Sequence, residues 1–307
     1  MYMTKQRFYL GFAAALALLF SACHDSIFET IDEEIEVDDS GITGTVSSIV
    51  EFQDYLYLSA GHAGEIYRKP SGGLSRKAWT SLSVLDSKHY PIYLGVEGST
   101  LYMIAYTYED DDGYNVPTYY EYSTTNLSSW NGPQKIATDT SISNFSSTPL
   151  HSGSNVYIDN CIKVKASNNY TYSITGGDGD TKIYRDGTEI LDTSGSDTGR
   201  IWAISATKDY LVIGANQGLY RIKINDDGSL GNPSESFTGE GAKSIFGGFR
   251  CFVVYIPEAF RGNNEGNAPI YVYKDSRGAS YTKKEGLYAF YPGSGWDRDG
   301  TNSSSGN

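Results

Sequence analysis

The residues that could do chemistry in this chain are few and scattered. Its histidines are His24, His62, His89 and His151, and none of them pairs with another at the spacing of metal ligands. A Cys-x-x-Cys pair, a Gly-x-Ser-x-Gly nucleophile turn and a phosphate-binding loop are all missing from the sequence. We therefore predict no catalytic residue, no metal ion and no cofactor.

Acidic residues are the next candidates for chemistry. Two acidic runs, residues 109–113 and 178–180, carry the oxygen ligands that Ca²⁺ prefers. Neither run has the spacing of an EF-hand loop, in which alternate acids close on a distant glutamate. We interpret both runs as solvated hairpin turns.

One cysteine has a sequence context that assigns it a reaction. A basic head precedes an apolar run, residues 10–20, and two small residues then lead to Cys23. The run is about half of the ~20 residues that a bilayer-spanning helix needs. Residues 1–22 are therefore predicted to be a signal peptide.

The segment around Cys23 resembles the lipobox of bacterial lipoproteins, in which the cysteine becomes the first residue and carries the acyl chains. Phe20 stands where that family usually has leucine, and the looser pattern of spirochaete lipoproteins is similar. The resemblance implies lipidation of Cys23 and attachment to a membrane of the bacterial cell envelope, the outer membrane rather than the inner one. The alternative is an ordinary secretory signal followed by an accidental cysteine.

Net charge limits the range of partners. The whole chain has a formal net charge of −13, and a field of that sign repels phosphates, which argues against nucleic acid and anionic lipid head groups as partners. Residues 23–40 are rich in acids and are predicted to be a solvated tether. Apolar residues within 27–37 predict that part of this tether serves as a closing strand. Residues 301–307 are predicted to be a disordered tail.

A turn followed by an alternating aromatic and aliphatic strand recurs along residues 41–300. The copies contain Leu56, Leu101, Val156, Leu211 and Cys251, which are 40 to 55 residues apart. This spacing lies in and just above the range of four-stranded propeller blades, and the abundant Tyr and Gly suit strands and tight turns. The sequence therefore predicts an all-β fold, a single β-propeller with five blades. The alternatives are six blades, with an extra strand pair at residues 169–175, and a plain β-sandwich.

Two segments resemble the Asp-box of sialidase-type propellers. Residues 123–130 and 274–281 keep part of the pattern Ser-x-Asp-x-Gly-x-Thr-Trp, and Thr125 and Leu127 replace the Asp and Gly in the first of them. The motif is structural in that family. The resemblance therefore supports a propeller and implies no catalytic activity.

The predicted ligand face is the one where the loops between second and third strands gather. Long polar loops on a rigid scaffold are the usual place for binding. These loops hold His62, residues 109–112, Asn216, Gln217, and residues 257–269 with Arg261. Tyr93 and Trp202 are predicted to contact the ligand from the channel side. The turns at residues 53–54, 98–99 and 208–209 are predicted to lie on the opposite face and to be structural.

The function predicted from these features is a membrane-anchored binding or scaffold module whose partner is an envelope protein or a glycan. One alternative is an enzyme that processes a glycan or a lactone. Glycoside hydrolysis needs two carboxylates around the scissile bond, whereas the predicted innermost strands offer Glu51 and Glu97, at strand ends. Another alternative is a subunit of an outer-membrane assembly complex, although the tryptophan-containing repeat of that family is missing. We favour a role without catalysis, and we expect Cys161 and Cys251, in blades that are not neighbours, to be free thiols.

Overall fold

The computed structural model describes residues 42, 45–60, 64–72, 79–111, 113–138, 162–175, 180–235, 245–275 and 286–298. Within these residues the strands form five four-stranded antiparallel sheets, and each sheet uses four strands that follow one another in sequence. Two 3-10 helices, Glu258–Phe260 and Glu265–Asn267, lie between the first two strands of the last sheet. No helix in the described ranges has the length and hydropathy needed to cross a bilayer.

Each sheet is one blade. Blade one comprises β1 (Ser48–Phe52), β2 (Tyr55–Ser59), β3 (Glu65–Pro70) and β4 (Thr80–Ser83). Blade two comprises β5 (Tyr90–Glu97), β6 (Thr100–Asp111), β7 (Tyr114–Thr124) and β8 (Asn131–Thr138). Blade three comprises β9 (Lys163–Lys165), β10 (Thr171–Ser173), β11 (Lys182–Arg185) and β12 (Thr188–Asp192). Blade four comprises β13 (Ile201–Ala206), β14 (Tyr210–Ala215), β15 (Gly218–Ile224) and β16 (Leu230–Ser234). Blade five comprises β17 (Arg250–Tyr255), β18 (Ile270–Asp275), β19 (Gly286–Tyr291) and β20 (Gly295–Arg298).

The first strand of each blade is the innermost one. β1 lies against β5 and β17, and β13 lies against β9 and β17. The first strands thus surround a common axis, and the core fills the spaces between neighbouring sheets: one cluster joins blades three and four, for example through Tyr172 and Ile213, and another joins blades one and two through Tyr57 and Met103. The fold is a β-propeller, and the prediction of an all-β chain with five blades is confirmed.

Serine side chains on first and second strands bond the backbone of the neighbouring blade's first strand or the residues beside it. Ser59 Oγ of blade one donates to Ile92 O at 2.7 Å, and Ser48 Oγ accepts from Leu94 N at 3.2 Å. Ser205 Oγ of blade four accepts from Ile256 N, beside β17, at 3.1 Å. Because the inner edge of each first strand has no further strand to pair with, these hydroxyls satisfy backbone groups that face the next blade.

Blade three differs in part from its prediction. The stronger pattern at residues 154–158 predicts the partner of β11, but the strand that pairs with β11 is β10, with Tyr172 opposite Arg185. β10 has one apolar residue between two polar ones, so its strand signal is weak; the fully buried Tyr172 anchors it through a hydrogen bond from its hydroxyl to Gly228 O at 3.0 Å. Residues 171–173 therefore belong to blade three and not to a sixth blade. The predicted strands at 145–150 and 154–158 lie outside the described residues.

Blade five is displaced by one strand from its prediction. Residues 249–253 are predicted to form the second strand, but they contribute to β17, which is the first, and β18 is the second rather than the third. First and second strands are both buried on both sides, so their apolar patterns look alike. The predicted first strand at 242–246 is not formed where it is described: Ile245 and Phe246 lie outside any strand, and Phe246 packs on Trp296 with ring centroids 4.9 Å apart.

The displacement moves the long loop at residues 257–269 to the other face of the propeller. We call the face where the innermost strands begin the start face, and the face where they end the end face. The long loop joins a first strand to a second strand, which places it on the end face. Two hydrogen bonds from the loop to the ends of other innermost strands support this placement. Lys208 N, in the turn after β13, donates to Asn263 O at 2.9 Å. Glu258 N donates to Glu51 Oε2, near the end of β1, at 3.1 Å.

Blades one and five meet without sharing a strand. All four strands of each described blade are consecutive in the chain, and the predicted closing strand at 27–37 lies outside the described residues. An apolar cluster with Ile49 and Val254 spans the two blades, and Lys69 of β3 adds to it: this lysine is 3% exposed, and its Nζ donates to Tyr291 Oη at 2.6 Å. The same Nζ lies 4.4 Å from the ring centroid of Tyr271 and 4.8 Å from that of Trp79. We call this group of Lys69, Trp79, Tyr271 and Tyr291 the Lys69 cage.

Candidate functional site

Trp202 and Asn216 form the centre of the candidate site, on the start face. Trp202 is the second residue of β13, and Asn216 begins the two-residue turn between β14 and β15. The indole Nε1 of Trp202 donates to Asn216 Oδ1 at 2.6 Å. Because an indole nitrogen can only donate, the amide presents its oxygen to Trp202 and directs its N–H groups elsewhere.

Backbone hydrogen bonds hold the turn that carries Asn216. Asn216 N donates to Arg200 O at 2.9 Å, and Gln217 N donates to Thr198 O at 3.3 Å. Gly199, at φ +66°, passes so close that a Cβ there would lie 3.1 Å from the Cβ of Asn216. The left-handed backbone and the close approach both favour glycine. The exposed Gln217 therefore stands at the tip of a turn fixed by the segment before β13.

Blade five supplies the other half of the site. Phe252 of β17 packs edge to face against Trp202, with ring centroids 5.3 Å apart. The Arg250 guanidinium lies 3.9 Å from the ring centroid of Phe252 and 5.0 Å from that of Trp202. Arg250 Nη2 donates to Asp275 Oδ2 of β18 at 2.6 Å, in an ion pair whose side chains are 18% and 9% exposed. We call Trp202, Asn216, Arg250, Phe252 and Asp275 the Trp202 corner.

The Trp202 corner has the chemistry of a site that orients a ligand. The ion pair and the two rings fix the plane of the guanidinium. Both rings are partly exposed, and the Asn216 nitrogen donates to no partner among the described residues. An apolar ring surface beside a directed hydrogen-bond donor is the combination by which small-molecule sites hold and orient a ligand.

The corner includes residues that the sequence prediction missed. Arg250, Phe252 and Asp275 reach the corner because β17 is the innermost strand of blade five and β18 the second. The sequence prediction places residues 249–253 in the second strand instead, and so misses all three. One sequence feature could have indicated Arg250: it is the first residue of an otherwise apolar strand, residues 250–255. A charge at the start of a buried strand needs a partner.

Arg261 does not share a face with Asn216, and this part of the prediction is wrong. Arg261 belongs to the long loop on the end face, where its Nε donates to Ile256 O at 3.0 Å and its guanidinium lies 5.8 Å from the ring centroid of Tyr255. The cause is the displaced strand assignment of blade five, which exchanges the two faces for every loop of that blade.

Tyr93 and His62 are not joined to the corner by any described contact. Tyr93 of β5 is half-buried and packs in a cluster with Ile104 and Tyr119 of its own blade. Burial, with a smaller contribution from Tyr119, raises the pKa of Tyr93 to about 12. His62 lies outside the described residues. A role in ligand binding stays a prediction for both.

The two carboxylates on the described innermost strands do not converge. Glu51 of β1 accepts a hydrogen bond from Glu258 N, on the side of blade one that faces blade five. Glu97 of β5 alternates with Val96, which packs toward blade one, so Glu97 lies on the far side of its sheet. The two side chains therefore point away from each other, from opposite sides of adjacent blades, whereas the two catalytic carboxylates of a glycosidase face each other across the substrate.

Blade two carries a further group of functional side chains on its elongated β6–β7 hairpin. β6 and β7 pair as far as Asp111 opposite Tyr114, whereas β5 joins β6 only as far as Tyr106, and β8 joins β7 only from Thr118. The outer part of the hairpin therefore projects beyond the other two strands of its sheet, on the start face.

Tyr90 of β5 and two tyrosines of β6, Tyr106 and Tyr108, lie on one side of blade two, and we call them the tyrosine row. The rings of Tyr90 and Tyr106 are stacked, with centroids 5.3 Å apart and planes at 26°. The rings of Tyr106 and Tyr108 are perpendicular, with centroids 5.7 Å apart. Tyr108, the outermost, is 59% exposed. The row thus runs from the body of the blade toward solvent.

The opposite side of the hairpin carries a charged network. Tyr120 donates its hydroxyl to Glu109, and the second oxygen of this carboxylate lies 3.0 Å from Lys135 Nζ. Hydrogen bonds from Tyr120 and Lys135 hold the pKa of Glu109 below its usual value, and the hydrogen bond to Glu109 raises the pKa of Tyr120 to about 12. His89 stacks on Tyr120 and forms a hydrogen bond with the hydroxyl of Tyr122. This network fixes the base of the hairpin.

The described residues contain one thiol and no cluster of metal ligands. Within them, no group of three or more His, Cys, Asp or Glu side chains is placed to hold a metal ion. Cys251 is a free, fully buried thiol, and burial raises its pKa. The prediction of a free thiol is confirmed for Cys251, while Cys161 lies outside the described residues.

Comparisons with known proteins give likenesses of limited extent. No family model and no curated protein sequence matches the chain. Among solved structures, a GH32 beta-fructofuranosidase of Bombyx mori is 11% identical, with TM-score 0.38, covering 81% of this chain and 61% of that chain. A GH43_1 enzyme of Xanthomonas citri is 11% identical, with TM-score 0.36, covering 85% and 91%. The surface component PorZ of Porphyromonas gingivalis is 12% identical, with TM-score 0.28, covering 83% and 42%.

This chain spans about three fifths of the length of the Bombyx mori enzyme. Likenesses at these identities and scores carry no argument about what the chain binds or does.

Proposed function

We propose that this chain is a lipid-anchored protein of the bacterial cell envelope whose propeller is a binding module, with its ligand or partner held on the start face at the Trp202 corner. The observation that carries the binding role is the corner itself. Rings from two blades, a guanidinium fixed by an ion pair and an amide held in a tight turn meet at one place. Such groups orient a ligand and need no reaction to explain them.

The partner class follows from charge and location. A formal net charge of −13 disfavours phosphate-bearing partners, which leaves proteins and glycans of the envelope. The corner offers ring surface and hydrogen-bond donors to both. Its position on an inner strand and a short turn favours a ligand that reaches toward the propeller axis, such as a sugar unit or a single side chain of a protein.

A photo-crosslinking amino acid placed on each face tests the binding site. Gln217 at the Trp202 corner and Asn263 on the end face are both exposed and are replaced one at a time in the full chain, in cells. The proposal expects an adduct from position 217 and none from position 263. Adducts from position 263 alone, or equal adducts from both, contradict it. Mass spectrometry of the adduct identifies the partner, and a bound glycan that is shortened over time would indicate an enzyme.

The lipid anchor is tested by metabolic labelling. The pattern that ends in Cys23 supports acylation at that residue. Cells fed labelled palmitate should yield a labelled protein, and Cys23→Ser should remove the label while Cys161→Ser, the matched control, retains it. A labelled Cys23→Ser protein would refute the anchor and leave the binding role of the propeller standing.

A further inference from the structure

Backbone hydrogen-bonding groups of a hairpin lie in its plane, so the side that carries the tyrosine row presents side chains. β6 and β7 pair with each other at every residue from Leu101 to Asp111, so the backbone groups between these two strands are satisfied behind the row. A ligand lying on this side of the hairpin therefore meets the rings of Tyr106 and Tyr108 and the side chains next to them. Tyr106 and Tyr108 are successive residues on one side of β6, and their ring centroids are 5.7 Å apart with perpendicular planes.

Hydrogen-bonding groups continue the row at its outer end. Asp110 follows Tyr108 on the same side of β6, and Asn115 lies directly opposite Asp110 on β7. Both are exposed. Asp110 Oδ1 accepts from Gly113 N at 2.7 Å, which fixes the carboxylate. The side chain opposite Tyr108 is that of Pro117, so the middle of the surface is apolar.

We propose that the tyrosine row binds an uncharged polysaccharide, with a sugar ring packed on Tyr108 beside Tyr106 and sugar hydroxyls bound by Asp110 and Asn115. The faces of a sugar ring are built from C–H groups, which pack on aromatic faces, and its edge carries hydroxyls that need partners. The row offers the exposed ring of Tyr108, the half-buried ring of Tyr106 perpendicular to it, and polar groups at its outer end. This site goes beyond the proposed function, because it lies on blade two and uses none of the residues of the Trp202 corner.

Charge excludes acidic glycans from this surface. No described residue of β6 or β7 on the side of the row is a lysine or arginine, and Lys135 of β8 pairs with Glu109 on the opposite side. Asp110 adds a negative charge next to the rings, and the whole chain is at −13. An anionic polymer would meet only repulsion here, so an uncharged chain is the complementary ligand.

The small apolar area favours a glycan over a protein. The exposed large hydrophobic residues of the described chain are Tyr108, Tyr114 and Ile136. Tyr108 lies on the side of the row, Tyr114 lies on the opposite side, and Ile136 lies at an irregular position of β8. A stable protein interface buries about 800 Å² on each partner around an apolar centre, and one exposed ring with its half-buried neighbours does not provide that centre.

Affinity electrophoresis of the full chain tests the proposal. The probes are hydroxyethyl cellulose, mannan and laminarin as uncharged polymers, polygalacturonate as an acidic polymer, and poly-lysine as a cationic peptide. We expect at least one uncharged polymer to retard the protein. Tyr108→Ala should weaken that binding by about tenfold or more, as expected for a central aromatic contact, and Tyr108→Phe should retain it. The matched control is Tyr114→Ala, at an exposed tyrosine on the opposite side of the same hairpin.

Three results would overturn the proposal. They are no retardation of the wild-type protein by any uncharged polymer, retardation by polygalacturonate or poly-lysine alone, and equal weakening by Tyr108→Ala and Tyr114→Ala. Circular dichroism of each variant shows whether the blade is intact; because both tyrosines are exposed, we expect no change in the spectrum. None of these results depends on an adduct at Gln217, so the tyrosine row and the Trp202 corner are tested independently.

Discussion

At the scale of single residues, Lys69 stabilises the fold through its charge as well as through its alkyl chain. Its ammonium group is enclosed by the rings of Trp79, Tyr271 and Tyr291, which are contributed by blades one and five. Aromatic faces attract a cation, and the attraction is larger where water is excluded. Methionine has a similar length and no charge, so it separates the two contributions.

We predict that Lys69→Met lowers the free energy of unfolding by about 1–3 kcal/mol, from the loss of the cation–π contacts and of the hydrogen bond to Tyr291. Denaturant unfolding measures the change. The control is Lys223→Met, at an exposed lysine of β15, which should stay within about 0.5 kcal/mol of the wild type. Equal stability of Lys69→Met and wild type would show that the cage gains nothing from the charge.

At the scale of elements, the contact between blades four and five depends on a residue without a side chain. Gly214 of β14 lies so close to β17 that a Cβ there would be 2.5 Å from Cys251 O and 2.9 Å from Val254 Cγ2. Real Cβ atoms do not come that close to a backbone oxygen, and the core around this position is closely packed. Any added atom must therefore push the two strands apart.

We predict that Gly214→Ala destabilises the protein by about 1–3 kcal/mol, as overpacked cores do. The matched control is Gly262→Ala on the end face, where an added Cβ meets nothing within 4 Å. Thermal unfolding of the two variants provides the measurement. If Gly214→Ala melts with Gly262→Ala and the wild type, the close approach of β14 and β17 is not present in solution.

The tyrosines of blade two make a second prediction at this scale. Burial raises the pKa values of Tyr93 and Tyr122 to about 12, and the Glu109 carboxylate raises that of Tyr120 to about 12, from an ordinary value of 10.0. The folded protein therefore keeps protons that the unfolded chain loses. Between pH 10 and 12 the folded state binds more protons, so stability should fall as pH rises through this window.

Ultraviolet absorbance of tyrosinate checks this prediction. A fraction of the tyrosines should titrate late, and Tyr93→Phe should remove part of that fraction without changing the rest. A titration in which the late fraction is unchanged by Tyr93→Phe would place that side chain in solvent.

At the scale of the whole molecule, the number of blades is predictable from the sequence because the turn and the strand after it recur at nearly regular spacing. The order of strands within a blade is less predictable. β17 and β18 are both apolar and buried, and no local signal distinguishes a first strand from a second. Because of this ambiguity, the predicted site omits Arg250 and places Arg261 on the wrong face of the propeller. Trp202, Asn216 and Gln217 are found together because blade four follows the repeat closely.

Because every described blade is made of strands that are consecutive in the chain, the order of the blades around the ring is not tied to where the chain starts. β20 ends and β1 begins on the start face in adjacent blades, the same relation that residues 84–89 bridge between β4 and β5. A circular permutant that joins residue 298 to residue 42 by a short linker keeps the buried Ile42 and Val46. If it opens between blades three and four, it should therefore fold with the same circular dichroism and form the Lys69 cage between blades that are now covalently joined. The termini of the polypeptide would then lie between blades three and four, and each blade would pack against the same two blades as before.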